Sequence, residues 1–202
     1  MTDDNDKLRE FIEPGETLRW NGAAQPYGLF DDAHKKSTLN AVIWGLAVAI
    51  VLIGGYLWLC VSREVEVKNA IILFALGMAL LIVWGPISTK KHLARMRYAL
   101  TDKRVISLNT ETGKAIAAPL PEVEAARIVE AGPGTCHVLL GAPILESSPK
   151  KLPTLAMHGK DAEGDDKVKI AKGVVFYNIS AGDGKTLRAL LNPMAVVEGA
   201  AA

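Results

Sequence analysis

The chain has 202 residues, half of them hydrophobic, and a formal net charge of +1. That length holds one or two domains. So balanced a charge lacks the basic footprint of a nucleic-acid binder, and two cysteines are too few for a disulfide framework. The balance hides an asymmetry, because residues 1–33 carry eight acids against three bases and residues 88–104 carry six bases against Asp102 alone.

Residues 1–38 form an acidic N-terminal segment. Leu18 and Trp20 offer apolar area to anchor the segment against a folded domain or an interface, with a solvated acidic tail the alternative for residues 1–10. Glu13, Glu16, Asp31 and Asp32 are candidate partners for Lys90, Lys91 and Arg95, in surface pairs of little individual worth. An acidic start without an apolar core does not fit a cleaved signal peptide.

Residues 39–61, LNAVIWGLAVAIVLIGGYLWLCV, contain no charge over 23 residues. At about 1.5 Å per residue this run reaches roughly 34 Å, enough for a hydrocarbon core of about 30 Å. Residues 70–87, AIILFALGMALLIVWGPI, reach roughly 27 Å at the same rise. Pro86 stands where this second helix is expected to stop. Soluble helices are amphipathic and these runs have no polar face. Two transmembrane helices are therefore expected, joined by an external loop at 62–69. Trp44, Tyr56, Trp58 and Trp84 lie near the ends, where amphipathic rings favour the membrane interface.

His34, Lys35 and Lys36 precede the first span, and Lys90, Lys91, Arg95 and Arg97 follow the second. The connection SREVEVKN has two bases and two acids, so the basic bias puts both termini in the cytoplasm. Gly45 with Ala49, Ala75 with Ala79, and Gly54, Gly55 and Gly77 are small enough to let helices approach in lipid. Neither span contains an ionisable residue, which argues against an ion path. Cys60 and Cys136 belong to no CxxC pair, so no thiol redox site is indicated.

Residues 88–192 read as a cytoplasmic domain, followed by a tail at 193–202. The apolar pattern is mostly period two. MRYAL puts Met96, Tyr98 and Leu100 on one face, and RVISL places Ile106 and Leu108 together. AIAAPL, AARIVE and HVLLG read as further strands, and Gly113 gives NTETGK a residue suited to a positive φ. A polar stretch at 146–166, with Lys150, Lys151, Asp161, Glu163, Asp165 and Asp166, reads as a long loop in which TLAM is a candidate short strand. KVKIA turns Lys167 and Lys169 outward and Val168 and Ile170 inward. GVVFYNI follows, then a helix over about residues 184–191 with the stripe Leu187, Leu190 and Leu191. About seven antiparallel strands with a C-terminal helix describe a mainly β domain, a small barrel or orthogonal sandwich.

RYALTDKRVISL directly after an apolar hairpin resembles the opening of the bacterial pleckstrin-homology-like membrane proteins. PGETLRWNGAAQP resembles the motif that precedes the spans in that family, and GVVFYNIS with its helix resembles the domain's ending. The resemblance implies a PH-like fold and a bacterial inner-membrane location. It implies little about activity, since one fold hosts many functions.

The stretch NISAGDGKTLRALL raises the question of a phosphate-binding loop. A Walker A loop needs a glycine five residues ahead of the Gly-Lys-Thr glycine, and that position, counted back from Gly184, is Ile179. Ser180 or Asp183 as a helix cap is the better reading, and no nucleotide is expected. His34, His92, His137 and His158 show no metal-ligand spacing, and a site shared by His137, His158 and Cys136 would rest on residue type alone. No catalytic constellation, cofactor or metal is indicated.

Lys90, Lys91, Arg95, Arg97, Lys103 and Arg104 form the strongest electrostatic feature, a candidate contact for anionic lipid headgroups. The same charges are expected in any hairpin of this orientation. The sequence thus points to a non-enzymatic, membrane-anchored module that binds, assembles or stabilises a membrane protein complex. Headgroup sensing at the cytoplasmic leaflet is the alternative, and an enzyme with an unrecognised site a remote one.

Overall fold

The computed structural model describes residues 2–28, 32–123, 125–164 and 167–191. Asp31, Asp165, Asp166 and the 193–202 tail fall outside them. The chain opens with α1 (Thr2–Arg9) and β1 (Leu18–Ala23), then two long helices, α2 (Asp32–Arg63) and α3 (Asn69–Ala94). The strands β2 (Met96–Thr101), β3 (Arg104–Asn109), β4 (Lys114–Pro119), β5 (Ala126–Gly132) and β6 (Thr135–Leu140) follow. Two short helices, α4 (Ala142–Leu145) and α5 (Leu152–His158), lead to β7 (Glu163–Gly164), β8 (Val168–Ile170), β9 (Val174–Ser180) and α6 (Ala181–Leu191). Two compact units result, one from Gly28–Lys90 and the other from the chain on either side of it.

The helical unit contains two segments long and apolar enough to cross a membrane, Thr38–Arg63 and Asn69–Ala94. Gly45 is where they meet: a Cβ there would lie 3.1 Å from both the Ala79 carbonyl oxygen and Val83 Cγ2. Gly54, Gly55 and Gly77 face no such neighbour within 4 Å. Trp44, Trp58 and Trp84 are 67%, 69% and 62% exposed, as befits side chains with no protein core to enter. Tyr56 closes the connection, its hydroxyl accepting the Lys68 N–H at 2.7 Å. Pro86 does not end α3, which runs on to Ala94. Its missing N–H removes one hydrogen bond to the preceding turn, but ISTKKHLA holds no further helix breaker and the helix resumes.

The second unit is built on two sheets, a six-stranded one in the order β1-β2-β3-β4-β8-β7 and a three-stranded one in the order β5-β6-β9. The period-two pattern sorts residues onto faces as expected. Met96, Tyr98, Leu100, Val105, Ile116 and Ala118 point inward to meet Val138, Leu140, Phe176 and Ile179 of the small sheet and Leu187 and Leu191 of α6. Trp20 stacks on Phe176 at 5.7 Å between ring centroids, and Tyr98 stacks on Phe176 at 4.7 Å. The buried Tyr98 hydroxyl is satisfied, accepting the Tyr177 N–H at 3.0 Å and donating to the Tyr177 carbonyl at 3.3 Å.

The N-terminal segment is anchored: Trp20 is buried in the core, Leu18 packs on the sheet, and β1 pairs antiparallel with β2, Ala23 opposite Arg97. Leu8, 1% exposed, sets aside the alternative of a solvated tail over residues 1–10. Several expectations are corrected. TLAM is helical within α5, where Pro153 fits the first turn, because a missing N–H costs nothing there. The 146–166 stretch is accordingly no open loop, since Leu152 and Ala156 enter the core. The six-stranded sheet is not wholly antiparallel, because β8 pairs parallel with β4. That register puts Val168 beside Ala115 and Ile170 beside Ala117, leaving Ile170 46% exposed rather than inward. Among the described residues of the 88–192 domain eight strands form instead of about seven, and β1 adds a ninth from the N-terminal segment. In α6, Leu187 and Leu191 are buried but Leu190 is 40% exposed.

Candidate functional site

The bases of the β module do not gather into one patch. Lys91 lies in the last turn of α3, and only Arg95 separates that helix from β2. Lys103 and Arg104 lie past the far end of β2, whose six residues at about 3.3 Å each put roughly 17–20 Å between them and Arg95. Lys90 belongs to the helical unit. At the near end, Lys91 Nζ is 2.7 Å from Glu111 and His92 Nδ1 3.7 Å from the same carboxylate. Glu111 belongs to the NTETGK turn, shaped by Asn109 Oδ1 accepting the N–H groups of Glu111 and Thr112. The Lys91 hydrogen bond, with added field from Lys91, His92 and Arg95, holds the Glu111 carboxyl below its ordinary range. Arg97 folds back on the Met96 carbonyl at 3.1 Å.

At the far end, Arg104 is committed within the domain. Its guanidinium lies 3.0 Å from Glu13 and 2.9 Å from Glu16, and donates to the Phe11 carbonyl at 3.0 Å. The Arg104 side chain is 13% exposed and that of Glu16 only 1%. The acids of the N-terminal segment were expected on Lys90, Lys91 and Arg95; Glu13 and Glu16 hold Arg104 instead. The reason is local. Pro14 and Gly15 form a tight turn, with Gly15 at φ 86° and the Glu16 N–H on the Glu13 carbonyl at 3.0 Å, which turns both carboxylates toward β3. Thr17 then locks onto the β2–β3 turn, donating its N–H to Asp102 at 2.8 Å and accepting the Asp102 N–H at 3.1 Å. The Thr17 hydrogen bond is the main reason that the Asp102 carboxyl titrates below its ordinary range.

A second constellation sits where the two sheets join. Asn178 has φ 51° within β9, at an irregularity in the β6–β9 register. Asparagine tolerates this left-handed backbone better than other side chains do. Its carbonyl accepts the Gln25 N–H at 2.6 Å, and its Nδ2 donates to the Gln25 carbonyl at 2.8 Å. The chain beyond β1 is thereby clipped to the small sheet. The Asn178 N–H donates to His137 Nδ1 at 2.9 Å, and the His137 ring stacks on Tyr177 at 4.1 Å. Tyr27 meets Tyr177 edge-on, and burial pushes the Tyr27 phenol up to about 12. Sequence reasoning missed this joint because Gln25 acts through its backbone, which carries no side-chain signature.

NISAGDGKTLRALL is a helix start. Ser180 Oγ accepts the Asp183 N–H at 3.0 Å and donates to the Asp183 carboxylate at 2.7 Å, a reciprocal cap. Trp20 Nε1 donates to Asp183 at 3.3 Å. Gly184 lies against Cys136 Sγ, leaving no room for a side chain. Burial raises the Cys136 thiol above its ordinary range, which disfavours the reactive thiolate. His158 ends α5 on the surface, while His137 accepts at Nδ1 from the backbone and Cys136 lies under α6. Among the described residues no group of three or more His, Cys, Asp or Glu is placed to hold a metal ion. Set beside known proteins, the chain matches no family model, no curated protein and no solved structure.

Proposed function

We propose that this chain is a non-enzymatic, membrane-anchored PH-like module that assembles or stabilises a membrane protein complex at the cytoplasmic face of a bacterial inner membrane. One observation carries the reading: α2 and α3 lie, along the chain, between β1 and β2, which are neighbours in a single sheet. The module is therefore tied to the apolar pair by two connections, residues 24–31 and Arg95, rather than by one linker. Anchoring by both ends of a sheet pairing restricts a domain to the leaflet and raises its effective concentration near membrane complexes. Four strands in sequence order in one sheet, three in a second, and a helix straight after the last strand support the PH-like reading. Lys90, Lys91, Arg95 and Arg97, against two bases and two acids in the connection SREVEVKN, support cytoplasmic termini.

The test is crosslinking in the native membrane, mild detergent extraction and mass measurement of what co-purifies. A membrane protein recovered in stoichiometric amount is the expected result. Recovery of the chain alone with one retained lipid class would replace the assembly reading with headgroup recognition. That second reading is favoured at one place only, the α3 end with Lys90, Lys91 and Arg95, because Arg104 is taken by Glu13 and Glu16. It predicts that Lys103→Glu leaves binding to anionic vesicles unchanged, while Lys90→Glu with Arg95→Glu weakens it.

A further inference from the structure

The outer face of the six-stranded sheet is apolar, which is unusual for a face without a second sheet against it. Ala99, Ile106, Leu108, Ala115 and Ala117 form a separate buried cluster there, closed by Leu8 with Phe11, Ile12, Leu18 and Val168 around it. Three alanines give the face a shallow floor on which a helix can lie close. The cover is slight. α1 has eight residues and continues only as tight turns, Phe11 N–H to Leu8 carbonyl and Ile12 N–H to Arg9 carbonyl. A helix so short does not hold its shape unaided, so it exists because it is docked. Its contacts read as a recognition pattern: Leu8, Phe11 and Ile12 stand at helical spacing on one side, followed by two carboxylates on Arg104. The apolar face also runs past the cover, because Ile170, paired with Ala117 in the sheet, stays 46% exposed.

We infer that this face is a docking site for a short amphipathic helix of a partner protein, occupied in cis by residues 6–16 until the partner displaces them. The occupant carries an apolar i, i+3, i+4 triplet and, beyond it, a carboxylate pair for Arg104. An occupant longer than the chain's own strap also covers Ile170, which gives it an advantage over the strap. The mode is helix-in-groove recognition. The inference rests on the reading of the module as a protein-binding one, whose failure the experiment distinguishes.

The experiment uses the full chain in detergent and a labelled peptide of residues 2–17. The variant Leu8→Asp with Phe11→Asp, Glu13→Gln and Glu16→Gln opens the face and releases Arg104, and deletion of residues 2–16 opens it independently; near-UV circular dichroism confirms that each retains its packed core. If the strap holds the face closed most of the time, opening it tightens peptide binding at least about tenfold, the reciprocal of the open fraction. Arg104→Glu on the opened chain abolishes that binding, and a peptide with Glu13→Lys and Glu16→Lys restores it. Peptide binding no tighter to the folded, opened variants, or indifferent to residue 104, overturns the inference. In membrane crosslinking, a partner retained equally by wild type and by a variant carrying Arg104→Glu removes this face and leaves the assembly reading standing. Peptide binding as expected with no protein recovered from either chain upholds the face and overturns the assembly reading.

Discussion

The two faces of the six-stranded sheet are both buried, yet by different means. The inner face carries Trp20, Tyr98 and Leu100, and it interlocks with Phe176 and Ile179 of a second sheet and Leu187 of α6. The outer face carries mainly alanines with Ile106 and Leu108, and its cover is a two-turn helix and the turns after it. Burial alone therefore does not tell a structural core from a docking surface. What separates them is how much chain each must order. The inner face draws on elements spread across the whole module, whereas the outer one is closed by a single local segment. Closing a face locally costs little loop entropy, and opening it again costs little structure.

The sharpest way to test this difference is to remove one large side chain from each face. Phe176, fully buried between two stacked rings, should lose about 3–5 kcal/mol as Phe176→Ala, visible as a lower urea midpoint for the entire domain. Leu8→Ala should cost about 2 kcal/mol, the low end for a buried leucine, because the strap can lift away rather than leave a cavity. Hydrogen exchange distinguishes the two. Phe176→Ala should speed exchange throughout β2, β6 and β9, and Leu8→Ala only near residues 6–18. Equal, global acceleration from Leu8→Ala would make the strap part of one cooperative core and erase the distinction.

How legible each face was in the sequence follows from the same asymmetry. MRYAL showed its inner face, because Met96, Tyr98 and Leu100 alternate with smaller or charged residues. The outer face was hidden. When both sides of a strand are covered, its residues read as a continuous apolar run, as in AIAA, and the run does not say what covers the second side. The cover itself, TDDNDKLREF, is dominated by charge, and one leucine in it decides its place. The three-residue β8 has no local signal for parallel pairing, which depends on a partner some fifty positions earlier in the chain. The helix start at Ser180 was visible because a cap is a local hydrogen-bond pattern. The Arg104 pairing was not, because charge along a chain shows which acids exist but not which way a Pro-Gly turn aims them.

Titration offers a gentler contrast between the regions. Burial raises the phenols of Tyr98 and Tyr177 on the inner side, and holds Tyr27 at about 12 against an ordinary 10.0. Tyrosine ionises by losing a proton, so the folded state binds that proton more tightly than the unfolded one. The contribution is fully present below pH 10 and is lost as pH rises toward 12. Asp102 runs the other way. Its carboxyl is held below the ordinary 3.8, so what it adds is present above that value and lost as pH falls. Urea midpoints should therefore decline on the alkaline side, with Tyr27→Phe flattening part of that decline. On the acid side, exchange at Thr17 should quicken first, and Asp102→Asn should remove that pH dependence. An alkaline decline unchanged in Tyr27→Phe would assign it to the other two phenols.

The smallest expected effect separates two buried hydroxyls of neighbouring strands. Thr101 Oγ1 accepts the N–H groups of Lys103 and Arg104 at 3.2 and 3.0 Å and donates to the Arg104 carbonyl at 2.9 Å, so it shapes the turn that presents Arg104 to the strap. Ser107 Oγ is equally buried but has no hydrogen-bond partner among the described residues. Its backbone sits between Tyr98 and Ile116 in the sheet. A desolvated hydroxyl without a partner is a cost, and removing it creates a void no larger than one oxygen atom. Ser107→Ala should leave stability within about 1 kcal/mol of wild type, on the stabilising side, while Thr101→Ala loses about 1–2 kcal/mol. The two substitutions delete the same oxygen from the same depth, apart from one methyl group. A loss at Ser107 matching that at Thr101 would mean that the serine hydroxyl finds a partner in the native domain, and that the inner core is wetter than its aromatic packing implies.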